Sequence, residues 1–340
     1  MLLIQIPDIK KIIHQVGVRE FYKQLLAYLK EDFSQWETFQ KSPRHAVQFP
    51  HGVLELMPIS SPSRYTFKYV NGHPQNPKQN KLNVVAFGAL VDVATGYPQM
   101  ISEMTLLTAF RTAATSAFAS SYLARANSRQ LAIIGCGAQS EFQVLAHAAI
   151  FDLQKVYYYD IDPAAMQKFA RNLQGQSFEL IAGKSAKEVT ERADIIITAT
   201  AAPGKVKVIE YAWLKPGQHI SGIGGDSPGK TELDVEILRH TKTVVEYFPQ
   251  TLHEGEIQNL GESAANHVHA ELWQVVTGAR SGRAKEEEIT LFESVGFALE
   301  DYSTLRLIYD LAKMHHIGQP VDMIPDQLAD CKNLYGLLID

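Results

Sequence analysis

Apolar residues recur along this chain in two rhythms. In "GVREFYKQLLAYLKEDF", Phe21, Leu25, Tyr28 and Leu29 stand at i, i+4, i+7 and i+8, which predicts an amphipathic helix. Strand-like segments follow, "HAVQFP", "GVLELMPIS", "RYTFKYVNG" and "LNVVAFGALVDVATGYPQMISE", the last carrying a hairpin signal at "ATGYP". Strands in succession without intervening helices predict a mostly antiparallel sheet. From Thr105 the rhythm changes. A small-residue helix, "TLLTAFRTAATSAFASSYLA", leads into strands ("RQLAIIGCG", "KVYYYD", "FELIA", "DIIITAT") that alternate with helices ("AQSEFQVLAHAAIFD", "DPAAMQKFARNL", "KSAKEVTERA"). Such alternation predicts a parallel sheet covered on both faces. The last strong helical pattern is "GFALEDYSTLRLIYDLAKMHH". The expected class is α/β, with a mostly antiparallel α+β domain at residues 1–115, a parallel-sheet domain at 116–314, and 315–340 packing back on the first.

Charged residues interrupt these patterns at four places. In "RYTFKYV", Tyr65, Phe67 and Tyr69 point to one side and Arg64, Thr66 and Lys68 to the other. Periodicity alone makes Lys68 a solvated strand lysine. Glu55 lies opposite Leu54 and Leu56 and reads as an exposed strand residue, and Arg44 in "SPRHAVQF" reads as surface. Arg111 differs, because it shares a helical face with Leu107, Ala114 and Phe118, where a guanidinium needs a buried carboxylate or phosphate.

The 340 residues are 46% hydrophobic and 20% charged, which fits a globular chain of about two domains. A net charge of -5 with interspersed signs gives no electrostatic case for nucleic acid or an acidic membrane surface. Cys136 and Cys331 form no CxxC pair or disulfide framework, which points to a reducing cytoplasm. Pro7, Asp8, Lys10 and Lys11 cut the apolar N-terminus too short for a signal peptide or a membrane span. His267 with His269, and His315 with His316, lack companion ligands at metal-site spacing, so no metal is expected. "GESAAN" lacks the GxSxG pattern of a serine hydrolase.

Chemistry enters at "IIGCGAQS", where Gly135, Gly137 and Ser140 form a GxGxxS pattern between an apolar strand and a helix. Gly135 permits the tight turn, Gly137 lets backbone approach a pyrophosphate, Ser140 permits close helix packing, and the helix N-terminus offers free N–H groups. "VYYYD" ends at Asp160, where an acid reaches the ribose hydroxyls of an adenosine. The combination predicts a Rossmann NAD-binding domain. Asp160 favours NAD over NADP, because a carboxylate beside a 2'-phosphate is a like-charge contact. Asp162, followed by Pro163, fits the cap of the next helix. A second glycine-rich stretch, "ISGIGGDSPGKTEL", carries a single carboxylate, Asp226, into a Ser-Pro-Gly turn.

"FKYVNGHPQNP", "AFRTAATSA", "IIGCGAQSEFQ", "GIGGDSPGKTEL", "VEYFPQT" with "EGEI", and "SVGFALEDYSTLR" together resemble, in this order, the ornithine cyclodeaminase/mu-crystallin family, from about Arg44 to Leu307. The resemblance implies a Rossmann NAD domain beside a substrate domain whose sheet pairs with a second copy in a homodimer. It implies conversion of L-ornithine to L-proline and ammonia with NAD used and regenerated. Lysine cyclodeaminase, an NAD-dependent amino-acid dehydrogenase or ketimine reductase, and a non-catalytic crystallin-like binding protein are the alternatives. By the same resemblance Arg44, Lys68 and Arg111 hold the substrate α-carboxylate, Glu55 is an acid beside the substrate, and Asp226 is the catalytic acid/base. Arg111, Thr112, Gly135, Gly137, Ala138, Gln139, Asp160, Thr200, Ile223, Gly224, Gly225, Asp226 and Ser294 match cofactor positions, and Val295 a substrate position. Asn83 stands where a relative has a cofactor-contacting threonine and still offers a hydrogen bond. Cys136, between the loop glycines, has no base beside it in sequence and reads as a small filler.

Overall fold

A computed structural model describes residues 1–200, 202–325 and 330–339. Its first sheet contains β1 (Leu2–Ile4), β2 (Gln40–Lys41), β3 (His45–Phe49), β4 (Gly52–Ser60), β5 (Arg64–Gly72), β6 (Ala86–Asp92) and β7 (Pro98–Glu103). Strands β4 to β7 follow one another as antiparallel neighbours, β2 and β3 share the outer edge of β4, and β1 pairs parallel with β7. The short strand Gln319–Pro320 pairs antiparallel with β1, bringing chain from beyond the last long helix back to this sheet.

One face of the sheet is packed by helices α1 (Ile6–Val16), α2 (Val18–Ser34) and α3 (Thr105–Leu123) and by the long helix Ala298–His315. Met57, Ile59, Leu90 and Met100 from the strands meet Leu25, Phe110, Leu305 and Ile308 from the helices in one buried core. The opposite face is apolar too, yet lacks cover among the described residues. Leu56 is 39% exposed and Phe87 46%, with Tyr65, Phe67 and Tyr69 only partly buried.

This arrangement reverses the sides inferred from periodicity for β4 and β5. Lys68 lies with Thr66 and Val70 on the helix-covered face and is completely buried, while the aromatic side of β5 faces outward. Glu55 shares the inner side with Met57 and Ile59. Alternation separates two faces without saying which one is covered, and here both carry apolar residues.

The second sheet is wholly parallel. In chain order its strands are β8 (Gln130–Ile134), β9 (Lys155–Tyr159), β10 (Glu179–Ala182) and β11 (Ile195–Thr198), followed after a short outlying strand by β12 (His219–Gly222). The set is completed by β13 (Lys242–Val245), β14 (Val268–Glu271) and β15 (Thr290–Glu293). Their spatial order is β10-β9-β8-β11-β12-β15-β13-β14. Burial on both faces explains the continuous apolar run at "DIIITAT". The chain moves outward from β8 through β9 and β10, then returns to the other side of β8 at β11. A crevice therefore opens at the carboxyl ends of β8 and β11, the place where such sheets bind ligands.

Candidate active site

The glycine loop occupies that crevice. Gly135 has φ +100°, and a Cβ there would overlap the carbonyl of Ala199 just beyond β11. A Cβ at Gly137 would meet nothing within 4 Å, so internal packing does not demand glycine there. The demand fits an external group that must lie against the backbone. Ser140 opens helix α4 (Ser140–Ile150), and its Oγ donates to the Gly137 carbonyl at 2.7 Å. Asp160, at the tip of β9, accepts from the amide of Cys136 at 2.6 Å and from that of Asp162 at 2.9 Å. Asp162 caps the following helix by accepting from Ala164 N at 2.8 Å. Gln139 has a buried Oε1 without a partner among the described residues. An approachable glycine backbone, a helix N-terminus and a fixed carboxylate suit the pyrophosphate and ribose of a dinucleotide. Burial, with Asp160 next in effect, pushes the Cys136 thiol up to about 12, so it is no nucleophile at neutral pH.

Beyond β12 the chain enters the second glycine segment, Ile223, Gly224 and Gly225, ending at Asp226. A Cβ at Gly224 would overlap the Glu232 carboxylate, and one at Gly225 would stand 2.5 Å from Glu256 Oε1. Glu232 accepts the hydroxyl of Thr200, and Glu256 accepts the amides of Glu232 and Leu233 at 2.7 and 3.0 Å. Burial pushes both glutamates to about 7. The turn is thus seated on two pinned carboxyl groups. Its Asp226 has a side chain 50% exposed and lies 2.9 Å from Lys230 Nζ.

The cations collect on the other side. Arg44 Nη1 donates to both Glu55 oxygens at 3.1 and 3.2 Å, and its Nε lies 3.2 Å from Glu254. Its Nη2 donates to the carbonyls of Val295 and Gly296 at 2.7 and 2.6 Å. Lys68 Nζ is 2.8 Å from Asp301, and Arg111 joins Glu300 at 2.7 Å and Asp301 at 3.1 Å. The buried partner expected for Arg111 is therefore a pair of carboxyls at the start of helix Ala298–His315. Burial is the largest influence on Glu254, which rises to about 7 with Glu55 and Asp226 nearby, although Arg44 opposes the rise.

The structure gathers Arg44 with Glu55 and Val295, and separately Lys68 with Arg111. It does not join Asp226 to either group by a hydrogen bond or ion pair. Thr112 follows Arg111 on α3, and Ser294 follows β15. Asn83 lies in the loop after β5, with a buried Oδ1 that lacks a partner among the described residues. Sequence reasoning passed over Glu246, Glu254, Glu300, Asp301 and Lys230. The acids in "VEYFPQTLHEGEI" and "ALEDY" were a usable signal, since they interrupt otherwise apolar helix starts and strand ends.

The model of the ornithine cyclodeaminase/mu-crystallin family matches residues 8–316. The chain belongs to that family. It is 47% identical to an ornithine cyclodeaminase of Brucella suis biovar 1 (strain 1330), over 99% of this chain and 93% of the relative. A solved lysine cyclodeaminase, described for its recognition of L-lysine, L-ornithine and L-2,4-diaminobutyric acid, superposes with a TM-score of 0.91 at 29% identity, covering 99% of each chain. An archaeal alanine dehydrogenase dimer with bound NAD gives a TM-score of 0.88 at 32% identity, covering 95% of this chain and 99% of that one. Family membership agrees with the paired sheets and with the strand-end location of both glycine segments.

Proposed function

We propose that this enzyme converts L-ornithine to L-proline and ammonia with NAD as cofactor, using Arg44, Lys68 and Arg111 for the substrate carboxylate and Asp226 for proton transfer. The observation that carries the reading is the contact of Arg44 Nη2 with the Val295 and Gly296 carbonyls. It joins the cationic cluster of the first sheet to a strand end of the dinucleotide-binding sheet. The 47% identity to an ornithine cyclodeaminase and the likeness to a diamine-binding cyclodeaminase support the substrate class.

Bound NAD supplies reversible hydride chemistry at the substrate α-carbon. Its proposed contacts are Asn83, Arg111, Thr112, Gly135, Gly137, Ala138, Gln139, Asp160, Thr200, Ser294 and residues 223–226. Arg44, Lys68 and Arg111 hold the α-carboxylate, and Val295 borders the substrate. The two arginines suit bidentate pairing, which fixes orientation as well as charge. Ornithine's distal amine, with a pKa near ~10.4 by analogy with lysine, is an ammonium at neutral pH and cannot attack. Asp226 takes that proton, with Glu55 completing the acidic side of the substrate. Holding the freed amine over the α-carbon makes ring closure intramolecular, an advantage that reaches ~7 kcal/mol for well-oriented groups. Ammonia then departs and the ring is retained.

The same reading includes a cytoplasmic homodimer built on the outward face of the first sheet. Its exposed Val47, Phe49, Leu56 and Phe87 support that assembly, as does the dimeric alanine dehydrogenase relative. Among the described residues no helix is long and apolar enough to cross a membrane. L-lysine differs from ornithine by one methylene, a discrimination of only ~1–3 kcal/mol, so both substrates belong in the assay.

Asp226→Asn tests the proton-transfer role. Dinucleotide binding by fluorescence titration should persist, while proline formation falls by about 10² to 10⁴. Near-normal proline formation by the variant removes Asp226 from that role.

A further inference from the structure

Helix α3 packs on the first sheet and also on the parallel one, and it meets the second through polar side chains. Thr112, Ser116 and Ser120 stand at i, i+4 and i+8, one line down the helix. On β12, His219 and Ser221 share one side of the strand. The hydroxyls of Ser116 and Ser221 are 2.6 Å apart, and Ser120 Oγ is 3.0 Å from His219 Nε2. Ser120 Oγ is also 3.0 Å from Nε2 of His147 on α4. His219 Nδ1 lies 2.9 Å from Oγ1 of Thr290, its partner across the sheet on β15. Ser116, Ser120, His147, His219, Ser221 and Thr290 are all completely buried.

Counting protons along these contacts leaves one neutral solution. The Gln143 carbonyl only accepts, so His147 Nδ1, 2.8 Å away, carries a proton and donates it. A neutral His147 then has a bare Nε2, which needs the Ser120 hydroxyl proton. Ser120 has no second proton to give, so His219 Nε2 is the donor to Ser120 Oγ. That leaves His219 Nδ1 bare, to accept from the Thr290 hydroxyl. Thr290 Oγ1 is also 2.8 Å from the Leu123 carbonyl, but that carbonyl already receives Arg283 Nε at 2.8 Å. The contacts become a chain of one direction. Arg283 Nη2 donates to Thr290 at 3.1 Å, Thr290 to His219, His219 to Ser120, Ser120 to His147, and His147 to the Gln143 carbonyl. The opposite tautomer of His219 would set two bare imidazole nitrogens against one hydroxyl proton, leaving a buried group unpaired.

We propose that Ser116, Ser120, His147 and His219 are positioning residues: the chain, with His219 protonated on Nε2 and His147 on Nδ1, and the Ser116–Ser221 rung beside it fix the register of α3 on β12, and thereby the placement of Arg111 relative to the Asp226 turn. Arg111 is carried by α3, while β12 leads directly through Ile223 to Gly224, Gly225 and Asp226. A contact made only by Ala113, Ala114 and Ala117 would tolerate sliding, whereas a slip of one helical turn, ~5.4 Å, breaks both rungs. Burial, its first cause, pushes His147 down to about 4 and holds His219 well below its ordinary range, in agreement with two neutral rings. None of the four needs to touch substrate. The kinetic part rests on the proposed ornithine activity, whereas the tautomers do not.

Long-range proton–nitrogen correlation spectra of the NAD-bound enzyme at neutral pH read the tautomers directly, with His147→Gln and His219→Gln assigning the signals. One ring should carry its proton on Nδ1 and the other on Nε2, and Ser120→Ala should disturb both. Matching tautomers, or an imidazolium at either position, would overturn the proposal. If His219→Gln fails to fold, the second signal disturbed by Ser120→Ala identifies His219. Kinetics of the folded Ser120→Ala enzyme separates positioning from stability. Its kcat for proline formation should fall at least about tenfold while the ornithine KM stays within about threefold, because Glu300 and Asp301 still hold Arg111. Ser116→Ala combined with Ser221→Ala removes both partners of the other rung, leaves no orphaned hydroxyl, and should lower kcat in the same way even if Ser120→Ala does not fold. A wild-type kcat in the folded variants, with only the unfolding midpoint lowered, would overturn the positioning role. If the wild type shows the two tautomers but forms no proline, the proposed function has failed and the hydrogen-bond chain stands.

Discussion

Lys68→Met replaces a completely buried ammonium by a side chain of similar length. The cavity effect is therefore small, and the loss is mainly electrostatic. Lys68 Nζ sits 2.8 Å from Asp301, while Arg111 Nε approaches the same carboxylate at 3.1 Å. Breaking a buried pair costs ~3–5 kcal/mol when one charge is stranded, and the remaining arginine places this site at or below the lower end. A lost charge-assisted hydrogen bond to the substrate carboxylate is worth ~1.5–3 kcal/mol, so the ornithine KM should rise about 10- to 150-fold. Burial, followed by Arg111, pushes Lys68 down to about 8. Between that value and ~10.4 the unfolded chain binds the extra proton, so this group makes stability rise with pH by up to ~1.4 kcal/mol per unit across the window. Above pH 8 the same deprotonation weakens the carboxylate clamp. Steady-state kinetics at saturating NAD, with urea unfolding from pH 7 to 10, should show an alkaline rise in wild-type KM that Lys68→Met lacks. A variant KM within twofold of wild type would refute the placement of Lys68 in the clamp.

Three further perturbations read the cofactor side and the buried polar interior. Gly224→Ala forces a Cβ into the Glu232 carboxylate that receives Thr200, displacing the Asp226 turn, and should lower kcat/KM by about 100-fold. Gly137→Ala should fold normally, since its Cβ meets no internal atom, and should register mainly as weaker dinucleotide binding by fluorescence titration. His147 lies between the Gln143 carbonyl at 2.8 Å and Ser120 Oγ at 3.0 Å, and burial pushes it down to about 4. Its contribution to stability is present above the unfolded value of ~6.5 and is lost as pH falls toward 4, at up to ~1.4 kcal/mol per unit. Glu232, Glu254 and Glu256 act in the opposite sense below 7, so the difference between wild type and His147→Gln in urea unfolding isolates this histidine. Parallel pH dependences for the two proteins would contradict it.

The parallel sheet was legible because its signal is local. An apolar strand, two glycines and a helix start within nine residues of "IIGCGAQSE" leave few alternatives, and Gly135 shows the positive φ that the turn demands. Arg111 was legible as a residue needing a partner, although its partners Glu300 and Asp301 lie nearly two hundred residues away. Lys68 and Glu55 were misjudged by periodicity because the first sheet is apolar on both faces, and alternation carries no label for inside. Glu246 was invisible for another reason. Its partners include the backbone amides of residues 295 and 296, and an amide looks the same in every sequence. The recognised family motifs were needed to draw Arg44, Lys68, Arg111 and Asp226 into one expectation.

The most direct measurement incubates the enzyme and L-ornithine with NAD far below stoichiometry, following proline, ammonia and NADH together. Many equivalents of proline and ammonia per NAD, without lasting NADH, is the predicted result. NADH accumulating beside an oxo acid would make the protein a dehydrogenase, and absence of turnover would contradict the proposed activity altogether.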